Sequence, residues 1–294
     1  MNIDRTKGTM ERNNSSRTSL EEFDNIALGI SILVASFLVA TVNVLMLIIL
    51  WKNKEVRKNI SPIIISLAVA DFLVGCMMAS AVLGNMGDNV NFLLVMLTSI
   101  FMWLSMLHLV LIAVDRCIAV MAPMWYEANI TRRKHYISLA FTWILAIAVF
   151  SVTVKMTNSY MDDLSMKIQL SNFIFVSLSL IVLYSYLGRV ACTQWRKIQS
   201  QVSQEHRQKI PRATKVLLAV LGAYIVLWGP YAALVLAEVC GYHQGVRTDW
   251  FEVSVLLVVC NSGVNFFIYA LMNSEFRQAV VSTLKCRKKN ETES

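Results

Sequence analysis

Residues 61–83 read SPIIISLAVADFLVGCMMASAVL, an apolar run in which Asp71 is the single charged side chain. A helix rises about 1.5 Å per residue and the hydrocarbon core of a bilayer is about 30 Å thick, so a run of this length crosses a membrane once. Six further runs of comparable length lie at 26–51, 91–121, 136–156, 168–193, 213–239 and 250–272, and no heptad or longer repeat relates them. Composition agrees. Of the 294 residues 56% are hydrophobic and 16% charged, against roughly 25% charged in a soluble domain. A disordered chain and a small disulfide scaffold are excluded, and a soluble globular protein is disfavoured. The expected fold is an all-α membrane protein, a seven-transmembrane helix bundle over 26–272. A polar tail over 1–25 precedes it, and no removable signal peptide is read there. Residues 273–294 follow as a short amphipathic surface helix and tail.

The formal charge of +8 would suit nucleic acid if it lay on one soluble face. Sorted by segment, it describes topology instead, and no nucleic-acid partner is expected. Of the 27 Lys and Arg, 20 lie after spans one, three, five and seven, and seven on the other side. With the acids included, the two sides carry +13 and −4. The positive-inside rule then puts the N-terminus outside and the C-terminus in the cytoplasm of a multi-pass plasma-membrane protein. Asn13 and Asn14 each open an Asn-x-Ser sequon on the outer tail and are the expected glycosylation sites; Asn59, Asn129 and Asn290 fall inside and should be silent.

Polar groups at membrane depth are costly and mark function. They are Asn43 in span one, Asp71 in span two, Ser105 and His108 in span three, and Asn261, Ser262 and Asn265 in span seven. Asn261 and Asn265, four apart, share a helix face. If these faces turn inward, a carboxylate among neutral oxygens suits a small hard cation such as Na+, or a proton; the other reading is a polar network that only holds helices together. His108 is read as a satisfied interior histidine, because no second His or Cys stands at ligand spacing. Asp115-Arg116-Cys117 closes span three, and Pro230 interrupts span six two residues after Trp228, where it removes a backbone hydrogen bond.

Taken in order, these residues resemble the rhodopsin-like family of G-protein-coupled receptors over essentially the whole chain. The marks are Asn43, Leu67-Ala68-Val69-Ala70-Asp71, Asp115-Arg116-Cys117, Trp143, Trp228-Gly229-Pro230, and Asn261-Ser262-Gly263-Val264-Asn265-Phe266-Phe267-Ile268-Tyr269. The resemblance implies a receptor whose extracellular ligand shifts the helices so that a heterotrimeric G protein binds inside. It implies that Arg116 pairs with Asp115 at rest and turns on activation towards Tyr269 and either Tyr184 or Tyr186. It also assigns Asp71, Ser105, Trp228, Asn261, Ser262 and Asn265 to the family's sodium pocket, with no other cofactor. The chain departs from the pattern at several points. Asn91 stands where most members have a disulfide-bonded cysteine, and the outer loop at 157–167 has no cysteine, so no extracellular disulfide is expected. Span five lacks the family's proline, and Phe266 replaces the proline of span seven. Loss of the cysteine and of the span-five proline, together with a short outer loop, resembles the branch holding melanocortin, cannabinoid, lysophospholipid and adenosine receptors.

By the same resemblance the ligand cavity is lined by Thr98, Ser99, Met102, Trp103, Tyr231, Leu234, Phe251 and Val255, unless these side chains simply fill the bundle core. Thr98 stands where amine receptors carry the aspartate that holds the ligand's ammonium, which disfavours an ordinary biogenic amine. Asp88, Asp162, Asp163, Glu238, Asp249 and Glu252 make the mouth acidic, which suits a cationic peptide or a partly basic small molecule; a lipid entering between helices would not need that charge. On the inner side, Phe276, Val280 and Leu284 recur every four residues beside Arg277 and Lys285, as in a helix lying on the membrane surface. Cys286 ends that stretch and is the expected palmitoylation site. The alternative function is an ion- or proton-coupled carrier using Asp71, against which stands the absence of internal repeats. An enzyme is not expected: no paired carboxylates or nucleophile-base arrangement supplies a reaction centre.

Overall fold

The computed structural model describes residues 3–85, 92–156, 163–201, 212–242, 248–272 and 274–291, with no side chains before Ile26 or beyond Thr283. The expectations for Asn91, Asp88 and Asp162 and for the side chains of Asn13, Asn14, Asp163, Asp249, Leu284 and Cys286 therefore lie outside the described residues. The elements are α1 (Ile3–Lys52), α2 (Lys54–Asn59), α3 (Pro62–Asn85), α4 (Phe92–Met121) and α5 (Pro123–Asn129), then α6 (Arg132–Met156), α7 (Asp163–Gln201), α8 (Arg212–Val239), α9 (Thr248–Met272) and α10 (Ser274–Glu291). Seven of them contain a segment long and apolar enough to cross a membrane: Ile26–Lys52, Pro62–Gly84, Met96–Met121, Arg132–Val152, Leu170–Val190, Ala219–Val239 and Trp250–Leu271. The expected all-α seven-helix bundle with a short C-terminal helix is what forms.

Helix ends follow local chemistry. Pro62 and Pro123 open α3 and α5, where the missing N–H would have had no intrahelical partner. Asn53 closes α1, its backbone N–H and its side-chain amide both donating to the Ile49 carbonyl. Gly241, at φ 84°, ends α8 in a Schellman turn in which Tyr242 N–H donates to Ala237 and Gly241 N–H to Glu238.

Helices α1, α3, α4, α7, α8 and α9 form a closed ring, each touching the next and α9 returning to α1; α6 stands outside against α3 and α4. Large apolar side chains such as Phe141, Ile144, Phe175, Val182 and Val226 face outward, an arrangement that water would penalise and lipid accepts. Inside, Leu67, Met106, Leu109, Val176, Leu180, Tyr184, Tyr224 and Trp228 share the main cluster. A second cluster of Met46, Ile49, Leu50, Phe266, Phe276 and Ala279 docks α10 at the end of the bundle that carries α2 and α5. Phe266, in the place of a proline, packs its ring 5.9 Å from Phe276, and α9 continues through it to Met272.

Candidate functional site

The polar residues of four spans meet around Asp71. Its carboxylate, fully buried, accepts a hydrogen bond from Ser105 Oγ at 2.7 Å and from Asn265 Nδ2 at 2.9 Å. Asn43 ties α1 to α9 by donating from Nδ2 to the Ser262 carbonyl at 3.1 Å and to Val39 at 3.0 Å, while its buried Oδ1 has no partner. Asn261 and Ser262 are buried as well. No ion pair to Asp71 occurs among the described residues, so none of them supplies a counterion to the charged form of this carboxylate. One carboxylate, hydroxyls and a spare amide oxygen fit a small hard cation, and the donor set has none of the clustered His, Cys, Asp or Glu that a transition metal takes.

His108 occupies a separate hub. Nδ1 donates to the Leu104 carbonyl at 2.7 Å and Nε2 accepts from Ser66 Oγ at 2.8 Å, while Ser66 accepts from Trp143 Nε1 at 3.0 Å. One neutral tautomer satisfies every group. The histidine is thus a link among α3, α4 and α6, as a satisfied interior residue should be.

Towards the opposite end from α10, an aromatic chain crosses α7, α8 and α9. Phe173 stacks on Tyr224 at 6.1 Å and lies 6.0 Å from Trp228; Trp228 meets Tyr231 edge-on at 6.1 Å, and Tyr231 lies 5.7 Å from Phe251. Met102, Trp103 and Tyr231 pack against the same cluster as Trp228. Thr98 is buried and its hydroxyl donates to Leu94 within its own helix. Ser99, Leu234 and Val255 are half-buried. The buried Trp228 Nε1 has no partner among the described residues. Phe173 and Tyr224, which sequence reasoning did not single out, complete this chain. Their signal was weak, because an aromatic residue in a membrane helix is ordinary. Tyr224 hydrogen-bonds Ser177 across α7 and α8 at 3.1 Å.

At the α10 end, Asp115 gathers three partners. Arg116 donates from Nε at 3.1 Å and from Nη2 at 2.6 Å to Oδ2, while Tyr126 of α5 at 2.7 Å and His135 Nε2 of α6 at 2.9 Å both bind Oδ1. The Asp115 side chain is 7% exposed and that of Arg116 44%. Burial and the neighbouring carboxylate push the Tyr126 phenol up to about 12, so it remains a donor at any physiological pH. Of the two tyrosines left open on span five, Tyr184 is 2% exposed, with its hydroxyl buried and unpartnered, whereas Tyr186 is 40% exposed. Two positions along a helix turn a side chain by about 200°, so the pair faces opposite ways, Tyr184 into the bundle and Tyr186 outward. Pro230 lies within a continuous α8 and faces outward. Around this hub, Arg132 Nη2 donates to the Lys58 carbonyl at 2.6 Å, and Asn59 donates to Glu275 at 3.0 Å, tying α2 to α6 and α10.

The family described as "7 transmembrane receptor (rhodopsin family)" matches residues 42–269, a stretch that holds Asn43, Asp71, Asp115, Arg116, Asn265 and Tyr269. The histamine H2 receptor of Cavia porcellus is 26% identical over 90% of this chain and 82% of its own length. The human histamine H2 receptor is 27% identical over 89% and 80%. The rhodopsin of Scyliorhinus canicula is 24% identical over 84% and 77%. With seven membrane-length helices and this match over most of the chain, the protein belongs to the rhodopsin family of seven-transmembrane, G-protein-coupled receptors.

Proposed function

We propose that the chain sits in the plasma membrane with its N-terminus outside, binds an extracellular ligand among α4, α8 and α9, and activates a heterotrimeric G protein at the α10 end. The observation that carries this reading is the Arg116–Asp115 pair. A half-exposed guanidinium is held by an almost buried carboxylate beside two buried tyrosine-bearing helices, and the Tyr184 hydroxyl waits without a partner. Such an arrangement has two states available to it. In the resting one Arg116 stays on Asp115; in the active one it leaves for Tyr184 and Tyr269 and the incoming G protein. The basic inner surface, +13 by formal count, supports the orientation.

The ligand site is assigned to Thr98, Ser99, Met102, Trp103, Tyr231, Leu234, Phe251 and Val255, a mostly apolar and aromatic lining with a few hydroxyls to orient what binds. Histamine H2 receptors are among the relatives, yet Thr98 offers no charge for an ammonium and spends its hydroxyl proton on Leu94. A ligand that is neutral at that point, with any basic group directed to the acidic mouth, fits this chain better than a simple amine. Sodium, bound by Asp71 with help from Ser105, Asn261, Ser262 and the spare oxygen of Asn43, would supply the counterion that Asp71 lacks. A carrier that loads a cation or proton on Asp71 is the second reading, favoured only by that unpaired carboxylate.

The test is receptor-catalysed guanine-nucleotide exchange on a panel of purified heterotrimers during a ligand screen. Arg116→Ala is expected to abolish ligand-driven exchange while leaving ligand binding measurable. No exchange with any heterotrimer, together with cation flux lost in Asp71→Asn, would turn the assignment to the carrier.

A further inference from the structure

We propose that His135 is a proton-controlled competitor of Arg116 for the Asp115 carboxylate: a proton taken up by its imidazole frees Arg116 and raises coupling. This regulation rests on the receptor function proposed above.

The geometry is a shared acceptor. Oδ2 of Asp115 holds both contacts from Arg116, and Oδ1 holds Tyr126 and His135. Because Nε2 of His135 donates to the carboxylate, the lone pair of the neutral ring is on Nδ1, and that atom is buried with no partner among the described residues. Proton uptake at Nδ1 makes an imidazolium without disturbing the bond already made to Asp115. The charge balance then changes. With a neutral ring, one carboxylate balances one guanidinium. With an imidazolium, two cations share one carboxylate, and Arg116 faces a pair of zero net charge with a like charge beside it. A proton on His135 thus does to the Arg116 pair what a proton on Asp115 itself would do.

Exposure decides which cation leaves. The Arg116 side chain is 44% exposed and that of His135 14%; water can receive the guanidinium, whereas moving the imidazolium off the carboxylate would strand a largely buried charge. Among the described residues, no acid other than Asp115 is paired with Arg116 or His135. The charged and titratable groups at this end include Asp115, Arg116 and Cys117 on α4, Tyr126 and Glu127 on α5, Arg132, Arg133, Lys134 and Tyr136 on α6, Lys54, Glu55, Arg57 and Lys58 on α2, Tyr184 and Arg189 on α7, Tyr269 on α9, and Glu275 and Arg277 on α10. Among the described residues, Asp115 is the carboxylate bonded to His135, Glu55 is engaged by Lys58, and Arg132 is turned to the α2 carbonyls. Histidine is the side chain whose charge changes across the cytoplasmic pH range.

Two readouts at pH 6 and pH 8 test this. In the first, receptor-catalysed basal exchange, after subtraction of the receptor-free rate at each pH, is expected to be about threefold faster at pH 6, the size of effect a partly exposed pair supports. His135→Gln keeps an N–H donor but takes no proton, and should flatten the profile; His135→Asn serves if the glutamine variant does not fold. The second readout is thermal melting of the purified receptor without a G protein. The loss in melting temperature caused by Arg116→Gln should shrink at pH 6 in the wild-type background and stay constant in His135→Gln. If His135→Gln keeps the wild-type dependence in both readouts, the competition is refuted and the receptor function is untouched. If melting shows the expected pattern while no heterotrimer responds at either pH, the competition stands and the receptor function falls.

Discussion

Asp71 is a carboxylate sealed among helices, hydrogen-bonded by Ser105 and Asn265 and, among the described residues, without a cationic partner. A charge so placed needs a counterion or a proton. If sodium is the counterion, NaCl should raise the melting temperature of the wild type relative to choline chloride at equal ionic strength, and should leave Asp71→Asn unmoved; binding at about 100 times Kd would correspond to about 2.7 kcal/mol. Equal shifts in the two proteins would remove sodium from this site. At Asp115 the analogous substitution is Tyr126→Phe, which deletes one of the donors on Oδ1. The bond is charge-assisted but lies at a partly exposed edge, so a loss of about 1 kcal/mol is expected in chemical or thermal unfolding, together with faster basal exchange as Asp115 loosens. The phenol's ionisation in the folded protein lies near 12, above its ordinary value of about 10. Its contribution is therefore full below about pH 10 and is lost as pH rises through about 12. An absorbance titration in which Tyr126→Phe removes no late-ionising tyrosine would contradict that assignment.

Between elements, α1 and α3 approach each other closely at Gly75. A Cβ placed on Gly75 would stand 2.7 Å from the backbone nitrogen of Ala40 and 2.7 Å from the carbonyl oxygen of Ser36. Backbone cannot rotate away as a side chain can, so the two helices would have to separate. Gly75→Ala is expected to cost about 1–3 kcal/mol, read as a lower melting temperature, with Gly222→Ala as a control where nothing lies within 4 Å. The other inter-element contact with a clear readout is α10 on α9. Phe276 is fully buried against Phe266, and Arg277 donates to the Leu271 carbonyl at 3.2 Å. Phe276→Ala should cost about 3–5 kcal/mol. It should also release α10 first, seen as faster amide exchange over 274–283 than in the seven spans. Uniform exchange across the chain would mean that α10 is held by something other than this aromatic contact.

On the scale of the whole molecule, the charge asymmetry predicts that an N-terminal epitope is reached by antibody on intact cells and a C-terminal one only after permeabilisation. Removing both outer sequons, Asn13→Gln with Asn14→Gln, should abolish any glycosidase-sensitive shift; the reverse staining pattern would invert the proposed orientation. Much of this protein is legible along the chain. The spans are, because hydropathy sums over consecutive residues and seven runs exceed the bilayer thickness. Asp71, Asn265, Asp115 and Arg116 are as well, because polar groups stand out against an apolar background. The partners of those groups are not. Tyr126 and His135 lie 11 and 20 residues from Asp115 on other helices, and nothing in their local sequence distinguishes them from surface residues. Tyr184 and Tyr186 have the same chemistry, and only the rotation of α7 makes one interior and the other lipid-facing. The sequence by itself determined how many helices cross the membrane and which polar groups they must carry, since both are properties of contiguous residues. Only the tertiary structure decided which donors share the Asp115 carboxylate and which ring anchors α10, because those depend on the rotation and offset of helices packed against one another.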